Sequence, residues 1–439
     1  MDYVQNELFK PLTRTERQKE AIRCWINNKC KGVCQMPTGF GKTNTAIMAI
    51  RLMLKKFEDL KVIIVVPTDL LQEQWKSKLD INGLSLNCEV LVINTAIKTK
   101  RTCDMLVIDE IHRTGADKFS EVFNVISYKY ILGLTATLER LDGRHIIINR
   151  YCPIVDVVTT EEAVANGWMA KNVEYKVILN VADIGTYQEM QREFSEHFEF
   201  FNYNFNLVTS LLGKKGLSNR LNLRNEMFQA WADLQPYYTE EQAKQRKTEI
   251  LRDITLHAVA LMRVVQARKK FIYNHPDKLR LTREIIKYRP NAKIITFSAT
   301  VEVASKIGVG YVYSGKDSKK KGRTTIEEFG NLDSGVLNTV AKANEGLDCP
   351  GLSVAIILGM DSSPIKYTQR KGRVVRKEGD KIAEIFTFVI NNTVETEWFN
   401  KSHKNAEVIT IDEENLMHVL KGEPYSTYKR TVSKFTFTC

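Results

Sequence analysis

The sequence has no run of 18 or more apolar residues, so no membrane-spanning helix is expected. Its opening stretch, MDYVQNELFK, lacks a charged segment followed by an apolar one, and a secretory leader is not expected either. Cysteine is present eight times, at Cys24, Cys30, Cys34, Cys88, Cys103, Cys152, Cys349 and Cys439, but never in paired metal-ligand spacing and never with histidine at finger spacing. Structural zinc is the weaker reading; free thiols in a reducing cytoplasm are the stronger. Low-complexity linkers are missing, and no internal sequence repeat is visible.

What remains is an ordinary soluble composition, 43% hydrophobic and 26% charged, in a chain of 439 residues that can hold two or three domains. The formal charge of +12 points to a polyanionic partner.

Residues 1–160 alternate short apolar runs with helical patterns. KGVCQM (31–36), KVIIVVP (61–67), DMLVID (104–109) and YILGLTAT (130–137) read as buried strands, each too short for a helix and each ending in polar or turn residues. KTNTAIMAIRLMLKKF (42–57) reads as an amphipathic helix. The same grammar returns near residue 290, with strands expected in 292–300, 310–315, 334–341, 352–360 and 383–390. The fold class is therefore α/β, two doubly wound parallel-sheet lobes. Residues 180–285 between them read as mostly helical. Phe194, Phe198, Phe201 and Phe205 share a helical spacing there, which favours core over a strand-separating wedge. The tail 425–437 alternates as an edge strand would. The expected division is lobe 1 over 1–160, a helical insertion over 161–285, lobe 2 over 286–410 and a tail over 411–439.

MPTGFGKTNTA (36–46) lies between a strand and a helix. Gly39 and Gly41 let backbone amides curl round phosphates, Pro37 and Thr38 complete the loop, and the helix N-terminus adds its dipole. Lys42 is placed to reach the β- and γ-phosphates of ATP, and the Thr43 hydroxyl to ligate Mg2+. Met36 replaces the first glycine of the usual pattern, so the strict motif is not met. VIDEIH (107–112) follows a buried strand; Asp109 would hold the magnesium through water and Glu110 would polarise the attacking water.

Reading onward, VVPTDLLQEQW, DEIH, GLTATLER, IITFSAT, NTVAKANEGLDCP and QRKGRVVR appear in this order. The set resembles superfamily 2 helicases over about residues 10–405, and the resemblance implies two RecA-like lobes and a nucleic-acid-stimulated ATPase. By that resemblance Arg14 and Gln18 look like the adenine-side motif. Pro67, Thr68, Thr95 and Thr339 look like nucleic-acid contacts. His112, Thr135 and Thr137 look like the coupling between ATP and nucleic acid. Asn344, Glu345, Gly346 and Asp348 look like the lobe 2 motif that touches both ligands. Gln369, Arg373 and Arg376 look like the last motif, both arginines acting as fingers on the γ-phosphate. The bare reading of RKGRVVRK, a solvated basic face, is opposed by the alternating valines.

TTEEAVANGWMAKNVEY (159–175) and the TAT triplet resemble XPB-type and UvsW-type enzymes more than DEAD-box RNA helicases, which carry SAT there. Gln369 departs from the histidine-first form of the last motif. Only about ten residues precede the adenine-side motif, so a separate N-terminal duplex-binding domain is not expected. Lys319, Lys320 and Lys321, in the basic stretch 314–323, read either as a solvated loop or as phosphate contacts. The partner expected is DNA, branched or with single-stranded regions, and the chain is expected to act as a monomer beside replication or recombination proteins. An RNA helicase, or an ATP-gated duplex clamp serving a larger complex, stays open as an alternative; no nuclease constellation is visible.

Overall fold

A computed structural model of the chain describes residues 12–115, 117–138, 143–213, 222–227, 229, 240–314, 317, 319–340, 349–361, 364–374, 382–403 and 407–427. The strands, in chain order, are β1 (Lys31–Gln35), β2 (Val62–Val66), β3 (Cys88–Val92), β4 (Arg101–Thr102), β5 (Met105–Asp109), β6 (Ile126–Ser127), β7 (Tyr130–Thr135), β8 (Ile154–Val157), β9 (Lys171–Leu179), β10 (Lys293–Ser298), β11 (Tyr311–Tyr313), β12 (Gly335–Val340), β13 (Val354–Ile357), β14 (Ile382–Ile390) and β15 (Ile409–Ile411).

The first sheet has the order β3-β2-β5-β7-β1-β8, and all its pairings are parallel. β2 and β5 are buried along their whole length, as continuous apolar runs in a parallel sheet should be. The second sheet has the order β11-β12-β10-β13-β14-β9-β15. β10, the run KIITFS, is buried at all six positions. These are the two α/β lobes that the apolar runs predict. β4 and β6 form a separate two-stranded ladder.

Six strands were not announced by an apolar run, the two-residue β4 and β6 among them. β3 and β8 carry exposed positions, and β15 is only three residues long. β9 mixes exposed, half-buried and buried positions, yet enters the second sheet beside β14. The basic stretch also differs from the loop expected of it. Lys319 opens a helix, Lys319–Gly330, and Lys321 pairs with Asp317 at 3.2 Å. Asp317 in turn accepts the Ser314 backbone N–H at 2.8 Å.

Two helices matter most for the site. Arg14–Asn27 begins in a full capping box, Thr13 accepting from the Glu16 N–H while the Glu16 carboxylate takes the Thr13 N–H. Lys42–Lys56 begins at Gly41, whose φ of 103° a side chain would resist. No helix among the described residues is long and apolar enough to cross a membrane.

The chain forms two compact units. One comprises 1–178, 279–389 and 397–439; the other comprises 179–278 and 390–396. The second unit is built on helices Ile184–Glu199, Phe205–Leu212 and the 35-residue Glu240–Asn274. Phe201, Val208, Leu211, Ile254, Ala258 and Leu261 form its core, with Phe194 and Phe198 packed against it, so three of the four phenylalanines of the stripe are packing, while Phe205 is exposed. Lys278 and Glu395, both fully buried, make an ion pair of 2.7 Å in this unit.

Candidate active site

The phosphate-loop segment is held from three sides. The Met36 N–H donates to the Thr135 carbonyl at 2.9 Å, tying the loop to the neighbouring strand end. The buried Gln18 amide donates to the Phe40 carbonyl at 2.9 Å, and a β-carbon on Gly41 would lie 2.6 Å from that amide nitrogen. Phe40 packs edge-on against Trp168 at 5.7 Å. Arg14 is half-buried on the same helix as Gln18, one turn earlier, while its neighbour Arg17 makes the denser network. Arg17 meets Asp156, Glu162 and the Val157 carbonyl at 3.0–3.1 Å, clamping the helix to the first sheet's edge.

Asp109 ends β5 and Glu110 follows it, at the sheet edge where the loop also sits. Lys42 Nζ lies 3.7 Å from Glu110 Oε1. The Asp109 carboxylate is held on both oxygens, Oδ2 by the Trp75 indole N–H at 2.9 Å and Oδ1 by the Glu110 N–H at 3.0 Å. Burial, and then the adjacent Glu110 charge, push the Asp109 carboxyl above the usual range. Burial alone would also raise Glu110, but Lys42, His112 and Arg373 outweigh it and hold Glu110 down to about 2. Glu110 has a φ of 52°, a left-handed backbone that costs a side-chain-bearing residue roughly 1–3 kcal/mol. His112 Nδ1 is 3.0 Å from Thr135 Oγ1 and 3.4 Å from Glu110 Oε2. Thr135 donates onward to the Thr137 carbonyl at 2.7 Å. The TAT turn, the histidine and the carboxylate are thus one continuous chain of contacts.

The helix Pro364–Val374 brings lobe 2 to the same place. Gly372 lies so near the loop that a β-carbon on it would sit 2.2 Å from Thr38 Cβ. Burial lowers the Arg373 pKa, and the charges of Glu110 and Asp109 oppose this without reversing it. The helix has two further anchors. Arg370 donates to the Gly359 carbonyl at 2.7 Å and lies over the Phe297 ring. Lys371 donates to the buried Glu174 at 2.9 Å, whose other oxygen faces His403 Nε2 at 2.6 Å. Burial would raise Glu174, but His403 and Lys371 hold it below its ordinary value. Gln369 is buried in the same helix.

The remaining sequence candidates fall elsewhere. Pro67 and Thr68 are half-buried at the end of β2, and Thr68 caps the helix Asp69–Ile81 by accepting from the Leu71 N–H. Thr95 is exposed. Thr339 needs correction: it is fully buried and its hydroxyl donates to the Thr296 carbonyl at 2.7 Å, so it serves the second sheet and not a nucleic-acid surface. Asn344, Glu345, Gly346, Asp348 and Arg376 lie outside the described residues, as do the side chains of Lys319 and Lys320.

The residues present fit a nucleotide phosphate chain with a hard cation. The helix Lys42–Lys56 has no side-chain cap at its N-terminus, so its first N–H groups are open to an anion. Among the described residues, the buried Thr38 Oγ1 has no hydrogen-bond partner. Thr43 and Asp109 would offer the cation oxygen donors, the type that magnesium prefers.

Sequence reasoning missed Trp75, Arg17, Glu174, His403 and the role of Gly372. Only Gly372 left a sign, an isolated glycine in a basic helical pattern, which signals close backbone approach.

Two family models match the chain. "Type III restriction enzyme, res subunit" matches residues 12–98 and 85–140, and "Helicase conserved C-terminal domain" matches 277–378. The chain is an ATP-dependent nucleic-acid helicase of superfamily 2, and so a hydrolase. It is similar to the DNA 3'-5' translocase XPB2 of Sulfurisphaera tokodaii, 25% identical over 86% of this chain and 82% of that one. It is also similar to MJ1505 of Methanocaldococcus jannaschii, provisionally described as an ATP-dependent RNA helicase, at 23% identity over 98% of this chain and 64% of that one. Its fold matches Saccharomyces cerevisiae Dbp5 bound to RNA and ADP BeF3, with TM-score 0.57 and 13% identity, covering 92% of this chain and 91% of that one.

Proposed function

We propose that this helicase is a DNA translocase that remodels branched DNA, by branch migration and by unwinding forks and junctions, in replication and recombination of the kind carried out by compact phage helicases. The observation that carries the motor reading is the approach of Gly372 and Arg373 from lobe 2 to Thr38 and Glu110 of lobe 1. A site divided in this way hydrolyses ATP only when the lobes close, and release reopens them. The ATP state then sets lobe spacing, which is what translocation along a strand requires.

Lys42 holds the β- and γ-phosphates, Glu110 polarises the attacking water, and Arg373 with Arg376 meets charge developing on the γ-phosphoryl group. Thr43 and Asp109 would hold Mg2+, which would neutralise charge on the phosphate oxygens. The chain His112–Thr135–Thr137 runs from the general base toward the polynucleotide side of lobe 1.

DNA rather than RNA is supported by the similarity to XPB2 along most of both chains. Branched substrates are supported by the helical unit. Its long helix exposes Arg252, Leu256, Val259, Arg263 and Lys270 along one side, opposite Ile254, Ala258 and Leu261. A basic face with apolar residues between the charges suits a backbone beside unstacked bases. An RNA helicase is the second reading, favoured by the description given to MJ1505.

The test is strand displacement and ATPase stimulation with four-way, forked, flapped and tailed duplex DNA beside matched RNA. Preference for the four-way junction and fork is expected. Equal rates on tailed duplex would remove the branch preference, and stronger stimulation by RNA would favour the second reading. Replacing Lys319, Lys320 and Lys321 together by Ala is expected to weaken DNA binding with little change in basal ATPase.

A further inference from the structure

Trp75 is 1% exposed, among the largest side chains buried in the molecule. A buried indole N–H must find an acceptor, and a backbone carbonyl commonly serves. Trp25 and Trp168 follow that habit, donating to the carbonyls of Ile131 at 2.8 Å and Leu12 at 2.7 Å. Trp75 donates instead to Oδ2 of Asp109, 34 residues away in sequence and also buried. With the Glu110 N–H on Oδ1, the carboxylate plane is fixed by the protein alone.

Position in the fold gives this bond a second meaning. Trp75 lies on the helix Asp69–Ile81, whose cap is Thr68, directly after Pro67 at the end of β2. Seven residues of helix, roughly 10 Å, separate the cap from the indole. The helix is rigid, and the buried Leu79 one turn further on secures it to the lobe 1 core. A force on its first turn therefore reaches Asp109 through one hydrogen bond.

We propose that Trp75 is a positioning residue for the cation site. Its indole N–H orients Asp109 and carries the state of the helix Asp69–Ile81, loaded or free of polynucleotide at its N-terminus, to the carboxylate that holds the metal. This rests on the role proposed above for Asp109 and on the nucleic-acid contact that the helicase resemblance implies for Pro67 and Thr68. The binding energy of a strand on lobe 1 would then appear partly as tighter metal-nucleotide binding, a coupling free energy that must act equally in the reverse direction.

Trp75→Phe keeps an aromatic ring and removes the donor. Leu79→Ala is the control, removing packing from the same helix with no bond to Asp109. Both are made in the slowly hydrolysing Glu110→Gln background. The Mg2+ dependence of binding of a fluorescent ATP analogue is then measured with and without single-stranded DNA, together with the melting temperature of each protein. Trp75→Phe is expected to need roughly tenfold more Mg2+ for half-maximal binding, the usual scale for an outer partner of a metal ligand. It is also expected to lose the shift that DNA causes. Leu79→Ala should keep both responses despite its own loss of stability. An unchanged Mg2+ dependence in Trp75→Phe, or equal shifts in both variants, overturns the proposal. Asp109→Asn separates it from the reading beneath: if that variant also leaves the Mg2+ dependence unchanged, the site assignment fails and this proposal with it.

A second measurement needs no Trp75 variant that folds. In the wild-type protein with 15N-labelled tryptophan, the Trp75 indole N–H signal is identified by elimination, from Phe substitutions at the other tryptophans. It should move on addition of Mg2+ with a non-hydrolysable ATP analogue, and again on addition of single-stranded DNA. A signal indifferent to both overturns the proposal.

Discussion

Gly372 of lobe 2 and Thr38 of lobe 1 approach so closely that a methyl group on Gly372 would lie 2.2 Å from Thr38 Cβ and 2.9 Å from its carbonyl oxygen. No side chain fits there without moving backbone. The glycine is what allows Arg373, its neighbour, to face the carboxylates of β5's end.

Gly372→Ala should therefore hold the lobes apart. Turnover is expected to fall roughly 10²-fold, the cost of a misplacement of about 1 Å at a reacting centre. Nucleotide affinity should change little, since Lys42 and the loop stay as they are. Steady-state ATPase with a separate nucleotide titration checks this, and near-normal turnover would mean that catalysis uses a wider lobe spacing.

Arg373→Ala should lower turnover by about 10³–10⁵-fold, the range for a finger on the transferring phosphoryl group, with a much smaller effect on ATP affinity. Glu110→Gln should bind ATP and Mg2+ but hydrolyse ATP very slowly. If Arg373→Ala instead kept its turnover and bound DNA weakly, the arginine would belong to the phosphate backbone of the nucleic acid.

Lys278 and Glu395 offer a stability test away from the chemistry. Burial pushes the Lys278 ammonium down and the Glu395 carboxyl up, and each offsets the other as an ion pair of 2.7 Å. Lys278→Met alone strands a buried carboxylate, at a cost of about 3–5 kcal/mol. The double variant Lys278→Met, Glu395→Leu should recover most of that. Denaturant unfolding of the four proteins in the cycle measures the coupling, and additive losses would show that the pair is not energetically linked.

DNA affinity should fall steeply with salt. Contacts to six to ten phosphates correspond to a loss of about 10³–10⁵-fold between 50 and 200 mM salt. A flat response would make the +12 charge irrelevant to binding.

Local patterns in the sequence determined what they physically can. Continuous apolar runs such as KVIIVVP and KIITFS specify strands buried on both faces, and the glycine-rich turn before KTNTAIMAI specifies an anion cradle, because each signal depends on neighbours a few residues apart. The ordered motifs likewise determined the helicase class. Tertiary structure decided what depends on distant pairs. β9 has no uninterrupted apolar run, and only its place beside β14 makes it a strand of the second sheet. Thr339 reads as a polar residue available to a ligand until its hydroxyl is found on the Thr296 carbonyl. Lys319 to Lys321 read as a loop until they are seen to open the helix Lys319–Gly330, with Lys321 paired to Asp317. The bond from Trp75 to Asp109, and the approach of Gly372 to Thr38, join residues 34 and 334 positions apart. Periodicity and propensity act within one element, whereas such contacts follow from which strands lie side by side, so no pattern in the chain announces them.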